Sequence, residues 1–156
     1  MAGLGEAASI IAVIQIADRV ICLCGTYASA VKDAKKDIER LAGEVEALQK
    51  VLKSADEMAD SSQMKLCTSD SVLEVLTGSI EQCRSTLGEL ESQLDPGKER
   101  KILSRFGRRA LKWPFQSKDV KKIVEALSRH KGTIILALNM DQKYGTFYTS
   151  AVYLML

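Results

Sequence analysis

The chain has little of what a β-sheet or an active site needs. Aromatic residues make up 5% and there are only 2 prolines in 156 residues, which favours helices over strands. The single histidine, His130, has no nucleophile or orienting carboxylate at a readable spacing. It is therefore read as a surface or half-buried side chain and not as a general base. The 4 cysteines, at positions 22, 24, 67 and 83, include no Cys-x-x-Cys pair, and with one histidine they make no zinc-ligand pattern. Cys22 and Cys24 stand two apart and point to different sides of a helix, so reduced thiols of a cytosolic protein are the reading. Gly3-x-Gly5 follows no strand and leads into no Gly-Lys-Ser/Thr, which excludes a dinucleotide fingerprint or P-loop. The amino terminus has no Lys/Arg-rich start and carries Glu6, which argues against a secretory signal. No enzyme, cofactor or metal is expected.

What is present is an ordinary globular balance, 46% apolar and 27% charged, in a length suited to one domain. The chain is organised around its first thirty residues. Ala7 to Ala17 carry no charge, the pair Asp18-Arg19 follows, and Val20 to Val31 are again uncharged. Isoleucine and valine at 10, 11, 13, 14, 16, 20 and 21 put apolar groups nearly all round a helix, and such a helix has to be enclosed. Taken alone, the first uncharged run reaches about 16 Å, roughly half a hydrocarbon core. On that count it does not span a bilayer, and the rest of the chain must supply helices to wrap it.

Helix 1 is expected from Gly3–Gly5 to about Ser29 or Val31. A second follows from about Ala34 to Met58, with Ile38, Leu41, Val45, Leu48, Leu52 and Ala55 stepping in threes and fours between charged residues. After an Asp/Ser/Gln-rich loop, a third opens near Ser69 or Asp70. Its seam is Leu76, Ile80, Cys83, Leu87, Leu90 and Leu94, and Asp95-Pro96-Gly97 ends it. Each seam spans about three heptads, which favours the core of a bundle over an intermolecular coiled coil. The expected core is Leu41, Val45, Leu48, Leu52, Leu76, Ile80, Leu87, Leu90, Trp113, Ile123 and Leu127. The fold class is all-α, a four- or five-helix bundle with a central N-terminal helix and an antiparallel hairpin of helices 2 and 3. Ser117 is the expected N-cap of a fourth helix, with Asp119 in its first turn, and Gly132 weakens it by about 1 kcal/mol. From Lys143 the sequence has no charge after the lysine and no helical period, so residues 1–142 are read as the domain and 143–156 as a tail.

Charge is uneven. Lys98 to Lys122 hold ten Lys/Arg against Glu99 and Asp119 in a chain of net charge +2, so the remainder is net acidic. Within that stretch Ile102, Leu103, Phe106, Ala110 and Trp113 form one apolar face, with Lys101, Arg105, Arg108, Arg109 and Lys112 on the rest. Three readings stand: a solvated charged face, contact with anionic lipid, or nucleic acid. The last is disfavoured, because no recognised module surrounds the segment and the pI of about 8.3 is modest.

Gly3-Leu4-Gly5-Glu6-Ala7-Ala8-Ser9-Ile10, then Lys32-Asp33-Ala34-Lys35-Lys36-Asp37-Ile38, and later Arg109-Ala110-Leu111-Lys112-Trp113-Pro114-Phe115 before Val120-x-x-Ile123, resemble the fungal N-terminal domain of STAND (NLR-type) proteins. That family is also named after the azaphilone pigment cluster protein L and grouped with HeLo-like domains; the resemblance covers roughly Met1 to Gln142. It implies a helical bundle placed ahead of a nucleotide-binding oligomerisation domain or of repeats. It further implies a cytoplasmic cell-death or signalling effector, recruited to the plasma membrane when homo-oligomerisation frees its first helix. Leu4, Ile10, Ile11, Val13, Ile14, Ile16, Val20 and Ile21 would then be the inserting surface. Lys98, Arg100, Lys101, Arg105, Arg108, Arg109 and Lys112 would contact anionic lipid. No nucleotide-binding region follows in this sequence, and the tail from Lys143 does not resemble the family's continuation. A passive adaptor that only mediates protein–protein assembly is the alternative.

Overall fold

The computed structural model describes the backbone of residues 2–60, 70–95 and 112–155, and the side chains of 10–58, 71–95, 112–139 and 154–155. Four helices account for nearly all of it: α1 (Ala2–Ala30), α2 (Lys35–Asp60), α3 (Asp70–Leu94) and α4 (Ser117–Met155). No strand occurs among the described residues. Each helix turns one stripe inward at steps of three and four. On α1 the stripe is Ile10, Val13, Ala17, Val20, Cys24 and Tyr27. On α2 and α3 it is Ile38 to Ala55 and Leu76 to Leu94, the two seams expected from the sequence. On α4 it is Val120, Val124, Leu127, Ile134 and Leu138. These residues form one continuous core, and their burial is what holds marginal single helices together.

The helices stand at the corners of a square. α1 lies against α2 and α3, and α4 lies against the same two. Pairing fixes the directions. Gln49 meets Ile14 and Asp18 beyond the short 31–34 turn, so α1 and α2 are antiparallel. Arg19 meets Glu91 and Tyr27 meets Leu94, so α1 and α3 run parallel. Ser117 meets Asp37 and Lys131 meets Glu44, so α2 and α4 also run parallel. Hence α2 and α3 have opposite senses, as the seams suggest, but occupy opposite corners instead of packing side by side. A core-facing seam points a helix at the bundle axis. It does not choose the neighbour.

Enclosure of α1 also differs from expectation. Apolar residues all round it predict burial all round, yet one stripe is buried while Ile11 is 45% exposed. Ile14, Ile16, Ile21 and Leu23 flank the stripe, half-buried against the core. Two neighbouring helices in a four-cornered bundle cover only part of a third, and the far side of α1 faces out.

The start of α4 is capped by Gln116. Its carbonyl accepts from the Val120 amide at 3.1 Å, and its own N–H donates to Asp119 Oδ2 at 3.3 Å, half of a capping box. Ser117, the expected cap, instead donates its hydroxyl to Asp37 Oδ2 on α2 at 2.7 Å. The backbone of α4 passes Gly132 and continues through the tail to Met155. Once nucleated by packing, a helix extends at small cost per residue, so a segment without helical period can still prolong one. Leu138 is the last buried side chain described, and Leu154 and Met155 are exposed.

Candidate functional site

The element with the most unusual chemistry is α1. It is one unbroken helix of 29 residues, about 44 Å long at 1.5 Å per residue. Between Ile10 and Ala30, 21 residues with a mean hydropathy of 1.6 are long and apolar enough to cross a membrane by length and composition alone. The core helix of a soluble protein can meet the same criterion. The uncharged run of about 16 Å ends at Asp18-Arg19, but the helix does not. That pair does not interrupt it, because each charge is taken up by a different neighbour.

Gln49 of α2, 8% exposed, donates its side-chain amide to both the Ile14 carbonyl, at 3.2 Å, and Asp18 Oδ1. Arg19 reaches α3, its Nε 2.6 Å from Glu91 Oε1 and its Nη2 3.5 Å from Oε2. The pair is largely solvated, so it contributes at most about 1 kcal/mol. Near the C-terminal end of α1, the buried Tyr27 donates its hydroxyl to the Leu94 carbonyl at 2.8 Å, satisfying one of the end carbonyls that α3 cannot bond internally. The Tyr27 ring also meets Trp113 edge-on at 5.3 Å, and Trp113 meets Phe115 in the same manner at 5.3 Å. Residues 112–116 thus form a short aromatic strap from the α3–α4 connection across the end of α1. The Trp113 Nε1 is buried and finds no acceptor among the described residues, a polar cost of about 1–3 kcal/mol.

Of the expected inserting residues, Ile10, Val13 and Val20 are buried, Ile14, Ile16 and Ile21 half-buried, and Ile11 exposed. The side chain of Leu4 lies outside the described residues. So do Lys98, Arg100, Lys101, Arg105, Arg108 and Arg109; of the basic set only Lys112 is described, and it is exposed. Leu41, Val45, Leu48, Leu52, Leu76, Ile80, Leu87, Leu90 and Leu127 are buried, with Trp113 and Ile123 half-buried against them. Sequence reasoning did not single out Tyr27, Gln49 or Glu91. Tyr27 continues the three-four register that begins at Ile10, but equally apolar neighbours hide that register in the sequence.

Buried thiols complete the electrostatics. Burial pushes Cys24 up to about 11 and Cys83 up to about 12, so both stay protonated and unreactive at neutral pH, whereas Cys22 is exposed. His130 is held below its usual value, first by burial and then by the adjacent Arg129. Among the described residues no three His, Cys, Asp or Glu side chains converge as metal ligands. A shallow groove of about 560 Å³ lies between α3 and the start of α4, lined by Leu90, Gln93, Phe115, Asp119, Lys122 and Ile123 among others.

The family model described as pigment biosynthesis cluster protein PigL N-terminal matches residues 1–146. The chain belongs to the PigL N-terminal family. The match extends from α1 through the strap into α4, and takes in the first residues of the segment read as a tail. The PigL N-terminal family fits an N-terminal domain of fungal NLR-like proteins and is all-helical, with no catalytic hint. No curated protein and no solved structure matches the chain.

Proposed function

We propose that this PigL N-terminal domain is a non-enzymatic effector module of a fungal NLR-type immune receptor, acting when assembly frees α1 to engage a membrane. The observation that carries the reading is the 21-residue span from Ile10 to Ala30, with only Asp18 and Arg19 charged. At about 32 Å it matches a hydrocarbon core of about 30 Å. In the resting bundle that span is held by one stripe and by a few polar contacts, each of which a competing partner can replace. The basic residues from Lys98 to Lys112 would draw the domain to the anionic cytoplasmic face of the plasma membrane, each contributing about 1 kcal/mol near the surface. A homo-oligomer would supply the local concentration and neighbours for the freed helices. A nucleotide-binding or repeat region of the receptor would supply the trigger.

The test is dye release from anionic vesicles by protein forced to assemble through a fused oligomerisation domain. Release is expected, and it should weaken as salt rises, because attraction is screened while insertion is not. Replacing Arg105, Arg108 and Arg109 together should weaken vesicle binding and leave the helical signal unchanged. Absence of release, with α1 still protected from hydrogen exchange, would leave the chain a passive helical adaptor.

A further inference from the structure

α1 remains joined to α2 through residues 31–34, so a freed α1 has to pivot about its C-terminal end. Tyr27 sits one turn from that pivot, 4% exposed. It belongs to α1, caps the last carbonyl of α3 and packs edge-on against Trp113 of the strap. Trp113 is held in turn by Phe115, directly before the Gln116 cap of α4. One side chain therefore ties together the pivot of α1, the end of α3 and the lead-in to α4. Among the described residues, the polar contacts at Asp18 and Arg19 lie mid-helix, and the Arg19 side chain is 55% exposed.

We propose that Tyr27, Trp113 and Phe115 form a latch that retains α1 in the bundle, and that opening this latch is the step that frees it. The proposal rests on the reading of α1 as the released element and names what controls its release. The closed latch is poised to open. Its indole N–H is buried without an acceptor among the described residues and regains a hydrogen bond when Trp113 swings into water. The strap is also the direct continuation of the basic run that ends at Lys112, so a force on that run reaches α1 through Trp113 and Tyr27.

The molecule carries its own reporters. Cys24 is buried on α1 and Cys83 on α3, and Trp113 is the only tryptophan. One chain keeps Cys24 as its single thiol (Cys22→Ser, Cys67→Ser, Cys83→Ala), and a second keeps Cys83 (Cys22→Ser, Cys24→Ala, Cys67→Ser). Each is labelled with a thiol reagent with and without Tyr27→Phe, which removes the hydroxyl and leaves the ring. Labelling of Cys24, and of Cys83 in the core that α1 helps to cover, should rise roughly five- to tenfold, the loss of one buried hydrogen bond, with the α4 amides keeping their protection from hydrogen exchange and Trp113 emission moved to longer wavelength. Tyr27→Ala should enlarge both effects while circular dichroism reports an intact bundle. Loss of hydrogen-exchange protection in α4 equal to that in α1 would mean general destabilisation and would overturn the latch, as would no acceleration of either thiol with Tyr27→Phe. All readouts are taken in solution without lipid. A latch that opens in a protein that never releases dye would refute the membrane reading alone.

Discussion

The side-chain amide of Gln49 on α2 spans 3.2 Å to the carbonyl of Ile14 on α1 and also bonds Asp18 one turn further on. A buried amide that serves a backbone carbonyl and a carboxylate together fixes the vertical register of the two helices. Gln49→Ala should destabilise the bundle by about 1–3 kcal/mol, since Asp18 loses its donor at a partly buried position. Gln49→Glu should cost more, because it sets a second carboxylate against Asp18 and the Ile14 carbonyl. Denaturant titration of the two variants checks the order. Equal stabilities would show that the contact is incidental.

How much of this was legible in the sequence depended on what stood between the apolar residues. On α2, charged residues such as Glu39, Arg40, Glu46 and Lys53 separate the buried positions, so the stripe from Ile38 to Ala55 could be read directly. On α1 the same stepping is hidden, because Ile11, Ile14, Ile16 and Ile21 fill the intervening positions with equally apolar groups. The stripe there emerges only once two neighbours cover one side. The diagonal placement of α2 and α3 was not legible at all, since any seam aimed at the bundle axis satisfies the same pattern. The cap of α4 shifted by one residue because the Ser117 hydroxyl found a better acceptor in Asp37 across the bundle. Trp113 was visible as part of a motif. Its partner Tyr27 was not, because proximity between residues so distant in sequence is a product of the fold.

Arg19 and Glu91 are the exposed counterpart of the Gln49 contact. Arg19→Ala should lower stability by no more than about 1 kcal/mol, and the effect should fade in high salt. A loss well above that in thermal unfolding would show that Arg19 anchors α1 more strongly than a solvated pair can.

His130 should make stability depend on pH. Its folded value lies below its usual value, so below the usual histidine range the unfolded chain binds the proton that the folded chain resists. Stability is unaffected above about pH 6.5 and declines as pH falls through that value towards the lower folded pKa. His130→Gln should flatten the profile between about pH 7 and pH 5. An unchanged profile, measured by denaturant midpoints across that range, would assign the dependence to other groups.

The movement of α1 relative to the bundle is the central claim, and a distance measurement reads it directly. One spin label is placed at the exposed Cys22 on α1 and a second at Ser85→Cys on α3, also exposed, with Cys24, Cys67 and Cys83 replaced. In the resting protein the separation should be short and narrowly distributed, as expected for neighbouring parallel helices. After forced assembly on anionic vesicles a second population, longer by tens of ångströms, should appear, and Tyr27→Phe should increase its share. A single unchanged distance in assembled, vesicle-bound protein would contradict the account, because α1 would then have stayed in its place.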